Sequence, residues 1–253
     1  MVSVHEAAEW VAAAQRIVVF TGAGVSTDSG IPDFRGPNGV WTRDPEAERT
    51  ATLSHYIGDA EVRRTAWQNR LRSAAWAAEP NSVHRSIAAL EASGRLLAVV
   101  TQNVDGLHQK AGHHPSKVIE VHGTMHRARC WECGDIRSML EAVERVRAGD
   151  PDPRCQLCGG VLKSDTILFG EPLVREVIDA ALRAADDCDL LIAAGTSLAV
   201  FPAANVVPRA KAADARVIIA NAEPTGMDRF ADAVLLGPLA ETMPTLCESR
   251  PNG

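Results

Sequence analysis

The chain reads as an α/β protein built on a doubly wound parallel sheet, and three features of the sequence say so. Short apolar, β-branched runs alternate with longer helical stretches. A Gly-Ala-Gly turn stands directly after the first run. Two stretches, Gly36–Glu79 and Gly123–Phe169, break the alternation. Strands apolar throughout suit burial on both faces, as parallel sheets require. Regular alternation with right-handed crossovers then gives the doubly wound arrangement.

From the N-terminus, Met1 to Gln15 is amphipathic, with Ser3 as N-cap and Glu6 three residues on, the pairing that satisfies orphan amides in a first helical turn. Strands are expected at Arg16–Phe20, Leu96–Thr101, Lys117–Val121, Asp189–Ala194, Arg216–Ala220 and Ala233–Leu236. Helices are expected at Asn81–Ala92, Leu173–Asp187 and Pro202–Ala213. The sheet domain is thereby assigned residues 1–36, 80–122 and 170–253. The first excursion, 37–79, is rich in Arg and Trp without a convincing strand, and the second, 123–169, holds four paired cysteines. Together they are expected to form a smaller module over one end of the sheet.

With 253 residues, 46% hydrophobic and 23% charged, the chain needs no cross-links to form a core, since chains of this size bury about 70–75% of their unfolded surface. The formal charge of -6 and the dispersed Lys and Arg argue against direct nucleic-acid binding, which favours a basic stripe. No apolar run approaches the roughly 18–20 residues that span a bilayer, and no secretory leader precedes the first helix. A cytoplasmic protein without membrane contact is expected. The unpaired Cys188 and Cys247 beside two Cys-x-x-Cys pairs fit a reducing compartment.

Gly22-Ala23-Gly24 follows an apolar strand, so it lies at a carboxyl strand end, where ligands of such folds bind. Small residues there let backbone amides approach a pyrophosphate. Thr27 stands where a full Gly-x-Gly-x-x-Gly has its third glycine, so an ordinary tight turn is the competing reading. Gly195-Thr196-Ser197 and Asn221-Ala222-Glu223 also follow apolar strands and precede helices. Helix capping would account for each alone; three polar ends at one sheet edge favour a nucleotide site.

Cys130-Trp-Glu-Cys133 and Cys155-Gln-Leu-Cys158 have zinc-ribbon spacing, and Gly134 and Gly159 follow the second cysteine of each pair. Two such knuckles complete a tetrahedral thiolate site, and four protein ligands leave no open position, so one structural zinc is expected. Redox dithiols and unrelated buried cysteines are the alternatives.

Gly22-Ala-Gly-Val-Ser-Thr-Asp-Ser-Gly-Ile-Pro-Asp-Phe-Arg35 resembles the signature of the sirtuin family, and Thr101-Gln-Asn-Val-Asp-Gly-Leu-His108 resembles its second signature. Val121-His122-Gly123, the cysteine pairs, Phe169-Gly170-Glu171, Gly195-Thr-Ser-Leu198 and Asn221-Ala-Glu223 follow in the family's order. The resemblance implies a Rossmann-like sheet with an inserted small zinc-binding domain, and NAD and an acyl-lysine peptide in the cleft between them. It implies that Gly22, Ala23 and Gly24 cradle the pyrophosphate, and that Arg35 and the loop after it close over NAD. Ile31, Pro32, Asp33, Phe34, Asn103 and Asp105 would line the nicotinamide side. Gln102 and His122 would face the nicotinamide ribose. Gly195, Thr196, Ser197, Asn221, Ala222 and Glu223 would hold the adenosine half. Phe169, Gly170 and Glu171 would receive the peptide as an added strand.

The implied reaction breaks the nicotinamide–ribose bond through an oxocarbenium-like carbon, which fixed polar groups stabilise in a closed pocket. The acyl oxygen attacks to give an alkylimidate, with Asn103 and His122 as catalytic residues. His122, with an unperturbed pKa of about 6.5, is the general base. Products are nicotinamide, deacylated lysine and O-acyl-ADP-ribose. Protein mono-ADP-ribosyl transfer from the same site, and a noncatalytic NAD-binding module with a zinc ribbon, are the other readings. His55, His84, His108, His113, His114 and His126 carry no comparable argument and are expected mostly at the surface or in loops. Trp67, Trp76 and Trp131 are expected to pack.

Two departures from the family pattern stand out. Ser164 replaces a usual proline, which is expected to loosen the peptide-groove entry. Arg49–Ala78 looks closer to the mitochondrial-type and bacterial class II branch. A Tyr-x-x-Arg pair marks relatives that prefer acidic acyl groups; here Trp67-x-x-Arg70 stands nearest and the only tyrosine is Tyr56. Desuccinylation is therefore not expected.

Overall fold

A computed structural model describes residues 2–34, 36 and 39–247. Among the described residues nine strands form: β1 Ile17–Thr21, β2 Leu96–Thr101, β3 Val118–Glu120, β4 Gly123–Cys130, β5 Ile136–Ser138, β6 Leu162–Thr166, β7 Leu190–Ala194, β8 Arg216–Asn221 and β9 Ala233–Leu236. The helices are α1 Val4–Ala13, α2 Val40–Arg43, α3 Leu53–Gly58, α4 Ala60–Leu71, α5 Ser82–Ala92, α6 Leu107–Lys110, α7 Met139–Arg147, α8 Arg175–Asp187, α9 Val206–Ala212 and α10 Leu239–Cys247. All six expected strands form, shifted by at most a residue or two. The expected helix at 202–213 divides into a 3₁₀ turn and α9.

The large sheet is parallel, in the order β3-β2-β1-β7-β8-β9. Successive strands move outward from β1 through β2 to β3, and then the chain returns to the opposite side of β1 as β7. That reversal opens a crevice at the carboxyl ends of β1 and β7, the usual ligand position in such sheets.

Alternation along each strand divides the core. Ile17, Val19, Val99, Ile192 and Ile218 face the layer of α1, α5 and α10 through Val11, Ile87, Leu90 and Leu246. Val18, Phe20, Val100, Leu191 and Ile219 face α8 and α9 through Ala181, Ala185 and Val207. Neither face reaches solvent, so the strands carry no polar alternation. Local chemistry sets the helix starts: Ser3 Oγ accepts from Glu6 N–H at 3.2 Å, and Asn81 Oδ1 accepts from Val83 and His84 N–H at 2.9 and 3.3 Å.

The second excursion folds as an antiparallel sheet, β5-β4-β6, covered by α7. The first excursion packs on it. Trp67 of α4 is buried among Ala128, Cys130, Met139 and Leu162, and the Tyr56 hydroxyl donates to the Leu162 carbonyl at 2.9 Å. Arg63, with a side chain only 5% exposed, ties the two together. It binds Asp152 at 2.9–3.1 Å and donates to the carbonyls of Tyr56 and Ile57.

Removing one partner of such a buried pair strands the other charge, at a cost of about 3–5 kcal/mol. Arg63→Met should lower the unfolding free energy by that amount. Lys110→Met, which breaks the exposed pair with Glu79, should cost less than about 1 kcal/mol. Chemical denaturation of the two variants checks both.

Candidate functional site

The glycine turn does not work as its composition suggests. Gly22 N–H donates to the Ala194 carbonyl at 3.1 Å, and Gly24 N–H to the Gly195 carbonyl at 2.9 Å. A Cβ on Gly22 would sit 2.6 Å from Thr196 Cβ, and one on Gly24 2.8 Å from Gly195 Cα. Gly195 has φ +62°, and its own Cβ would meet Val25 N at 2.6 Å. These glycines are required because two turns interlock backbone to backbone across the crevice. Among the described residues only Ala23 keeps an amide with no backbone acceptor in this turn.

Around that turn the predicted residues converge unevenly. Gln102 Nε2 donates to Thr196 Oγ1 at 2.8 Å, bridging the ends of β2 and β7. Thr196 Oγ1 also accepts from Leu198 N–H. Asn103 and Asp105 are buried and meet on a residue the sequence reading passed over, Ser26. Asn103 Nδ2 donates to Ser26 Oγ at 3.1 Å, and Ser26 Oγ donates to Asp105 Oδ2 at 2.7 Å. Ser26 lies inside the Gly22–Arg35 motif, so its position was the available signal. Asp33 Oδ1 accepts from Gly36 N–H, and Ile31 N–H reaches the Ser26 carbonyl. Arg35 lies outside the described residues, whereas Pro32 and Phe34 are exposed. Ser197, Ala222 and Glu223 are exposed beside half-buried Asn221, whose Nδ2 donates to the Glu223 carbonyl.

His122 follows β3. Its Nδ1 lies 3.2 Å from the Gln102 carbonyl. A carbonyl only accepts, so Nδ1 carries the proton and Nε2 keeps its lone pair. Burial pushes its pKa below 6.5, partly opposed by the Gln102 carbonyl. Its own carbonyl accepts from Ile167 N–H, which ties it to the segment after β6.

That segment carries the expected substrate residues, two of them already engaged within the chain. Phe169 already has a neighbour: its N–H donates to Ala51 O at 2.8 Å and its carbonyl accepts from Leu53 N–H at 2.9 Å. Glu171 is committed to the fold. Its Oε2 pairs with buried Lys163 at 3.0 Å and accepts from Leu168 N–H. Lys163 also donates to the Thr166 and Ser164 carbonyls, filling its donor capacity. Gly170, at φ +85° with open space beside it, keeps the free backbone edge. A cavity of about 430 Å³ adjoins it, lined by Leu53, Ile57, Trp131 and Phe169 among others.

Further expectations shift. Trp131 is 41% exposed on that cavity instead of packed inside. Trp41, unmarked in the sequence, bridges Phe34 and Phe169 with ring centroids at 4.7 and 5.2 Å. Ser164 is buried, bonded to Arg70 and Thr166, so it braces the interior and does not loosen a groove entry. The Arg70 guanidinium lies over the Trp67 and Tyr56 rings. His84, His108 and His113 are fully enclosed, contrary to a surface placement.

The four cysteine Sγ atoms lie within 4.8 Å of one another, with 3.5 Å between Cys130 and Cys158 and 3.7 Å between Cys133 and Cys155. A disulfide needs about 2.05 Å, whereas thiolates about 2.3 Å from a tetrahedral centre stand at about the spacing seen. Gly134 and Gly159 take φ +75° and +76° where each knuckle closes. The donor set fits one structural zinc.

Comparison with known proteins agrees with this geometry. The Sir2 family profile matches residues 22–202. The NAD-dependent protein deacetylase 2 of Streptomyces coelicolor is 49% identical over 230 residues, 91% of this chain and 95% of that one. A Sir2 enzyme solved to explain mechanism and regulation superposes with TM-score 0.87 at 40% identity, covering 97% of this chain and 96% of the other. A Sir2 complex with a deacetylated peptide and 3'-O-acetyl ADP ribose gives TM-score 0.85 at 29% identity, covering 95% and 96%.

Cys130→Ala should release the zinc and lower thermal stability, because structural zinc contributes directly to folding. Metal content by mass spectrometry and a melting curve test this; unchanged values would rule out the four-thiolate site.

Proposed function

The chain belongs to the Sir2 family, and from that premise we infer that it is an NAD-dependent protein-lysine deacylase releasing nicotinamide, deacylated lysine and O-acyl-ADP-ribose. One observation carries the residue-level reading. His122 holds its proton on Nδ1 against the Gln102 carbonyl, which leaves Nε2 as a base, and that carbonyl belongs to the residue directly before Asn103 of the Asn103–Ser26–Asp105 cluster. NAD is a substrate here, consumed in each turnover.

In this reading the dinucleotide lies along the β1–β7 crevice, with the adenosine half toward Gly195–Ser197 and Asn221–Glu223. Ala23 N–H supplies the turn's free amide to the pyrophosphate, while Gly22 and Gly24 provide close approach. Asn103 and Asp105, held by Ser26, surround the nicotinamide end. Cleavage leaves an electron-poor ribose carbon that the acyl oxygen attacks, and a dry cleft keeps water from competing. His122 Nε2 then takes a proton from a ribose hydroxyl, which attacks the imidate carbon; the lysine amine leaves with a proton, and one water admitted after that step adds to the remaining cation to give O-acyl-ADP-ribose. Its burial-lowered pKa keeps it neutral, the state a base needs.

The peptide lies along Gly170, between the sheet domain (1–36, 80–122 and 170–253) and the module of 37–79 and 123–169. The Lys163–Glu171 pair fixes that edge. Zinc holds the module's knuckles and takes no part in the chemistry. A neutral acyl group suits the site, because the Tyr56 hydroxyl is spent on the Leu162 carbonyl and does not meet a carboxylate. No helix among the described residues is long and apolar enough to cross a membrane, and the free thiols suit the cytoplasm.

A panel of acetyl-, propionyl- and succinyl-lysine peptides with labelled NAD, read by mass spectrometry, should give O-acyl-ADP-ribose most readily from the neutral acyl groups. Label on protein alone would favour ADP-ribosyl transfer. His122→Ala should cut kcat by at least about 100-fold while NAD still binds; near-normal product formation would remove His122 as the base. In the wild type, kcat/KM should fall as pH drops and the imidazole protonates. Because burial lowers its pKa, the midpoint of that limb should lie below 6.5.

A further inference from the structure

Away from the groups assigned to substrate, three histidines form a buried row between α5 and the loop after β2. His84, His108 and His113 are 0%, 1% and 4% exposed. Ring centroids lie 5.0 Å apart for His84–His108 and 5.7 Å for His108–His113. One nitrogen of each is engaged: His84 Nδ1 with Asn81 Oδ1 at 3.0 Å, His113 Nδ1 with Glu91 Oε2 at 2.5 Å, and His108 Nε2 with Thr21 Oγ1 at 3.0 Å. Their second nitrogens have no partner among the described residues. The row is not a metal site, since among those residues only the four cysteines bring three or more donor atoms close enough for one ion.

The unpartnered nitrogen settles the tautomer of His108. A buried N–H without an acceptor costs more than a buried lone pair without a donor, so Nδ1 is bare and Nε2 carries the hydrogen. Burial, with His84 and His113 nearby, holds the ring neutral by keeping its pKa well below 6.5. His108 Nε2–H therefore donates to Thr21 Oγ1. Thr21 in turn donates to Thr101 Oγ1 at 2.8 Å, and Thr101 Oγ1 accepts the Asn103 N–H at 3.1 Å. Hydrogen-bond direction is fixed along the whole chain.

The two threonines make the arrangement informative. They are the last residues of adjacent strands, paired in register, and 0% and 2% exposed. Two valines would serve strand and core as well, without burying hydroxyls that need partners. The hydroxyls do something a strand end does not require: they carry a hydrogen bond from α6 to the first turn of the 102–105 loop.

We propose that His108 is a positioning residue for the nicotinamide side of the site, setting the Asn103 backbone through Thr21 and Thr101 without touching substrate. This rests on the assignment of Asn103 and Asp105 to that side. The position of Asn103 decides whether its Nδ2 reaches Ser26, and Ser26 is what holds Asp105. One imidazole thereby governs three residues of the pocket.

The test compares His108→Leu, which removes the donor, with His108→Gln, whose Nε2 can replace it, and with Thr21→Val, which breaks the next link. Amide hydrogen exchange is measured without NAD, and NAD affinity by calorimetry alongside KM for NAD and for peptide. His108→Leu and Thr21→Val should each speed exchange at Asn103 and raise the Kd and KM for NAD about 5- to 20-fold. Peptide KM should stay within about twofold, and His108→Gln should recover most of the loss. The double variant should be no worse than either single one, since both cut one chain. Unchanged Asn103 exchange and NAD affinity in a folded His108→Leu protein would overturn the proposal, as would additive losses or failure of His108→Gln to rescue. If His108→Leu does not fold, Thr21→Val decides by the same readouts. A wild-type protein that bound no NAD would defeat the functional reading alone, because amide exchange reads the chain directly.

Discussion

The interlock of two backbones at the carboxyl ends of β1 and β7 is the constraint on which the site depends. Gly24 N–H is spent on Gly195 O, and each glycine leaves no room for a Cβ. The contact closes the floor of the crevice with main chain alone, so nothing flexible lines it there. Because the two strands are hydrogen-bonded in register from Ile17↔Leu190 to Thr21↔Ala194, the turns above them are held by the whole sheet. Gln102 then fastens β2 to the same point through Thr196, and three strand ends become one rigid platform.

The smaller module solves a different problem, which is to hold an irregular segment without burying unpaired polar groups. The chain from 163 to 171 carries a buried lysine, and every donor on it has an acceptor. A buried ion pair of this kind is weak evidence for stability, because desolvation offsets much of the attraction. Its value is directional: it fixes where Gly170 presents its backbone. The aromatic chain Phe34–Trp41–Phe169 links that segment to the loop after the glycine turn. Residues expected at the cofactor and at the peptide thus share one apolar contact.

Much of the fold was legible because its signals are local. An apolar β-branched run is buried wherever it lies, so the positions of β2 and β9 follow from composition. The two Cys-x-x-Cys pairs declare their geometry by spacing. What the sequence concealed depends on partners far along the chain. Gly22 and Gly24 signal close approach, but only the structure shows that Gly195 is what approaches them. Ser26 looks like a turn residue until Asn103 and Asp105 arrive from 77 and 79 positions away. Ser164 looks like a missing proline until Arg70 reaches it. Histidine was the hardest type to place, since its polarity suggests exposure while an enclosed neutral ring costs little once one nitrogen is bonded.

His122 and His108 show how one side chain is set in opposite hydrogen-bonding states. Both have pKa values lowered first by burial, and both bond through one ring nitrogen. The difference lies in what meets the engaged nitrogen. A carbonyl can only accept, so it forces the hydrogen of His122 onto Nδ1 and leaves a basic Nε2 free for a proton. A hydroxyl can do either, so the tautomer of His108 is decided at its far side, where the absence of an acceptor puts the hydrogen on Nε2 and makes the ring a donor. Lowering a base's pKa weakens its pull on a proton even as it raises the fraction ready to accept one. In the proposed reaction His122, half-buried where His108 is sealed, recovers that loss by contact with a reacting hydroxyl. His108, sealed behind the threonines, has no such partner, and its chemistry is limited to holding direction in a hydrogen-bond chain.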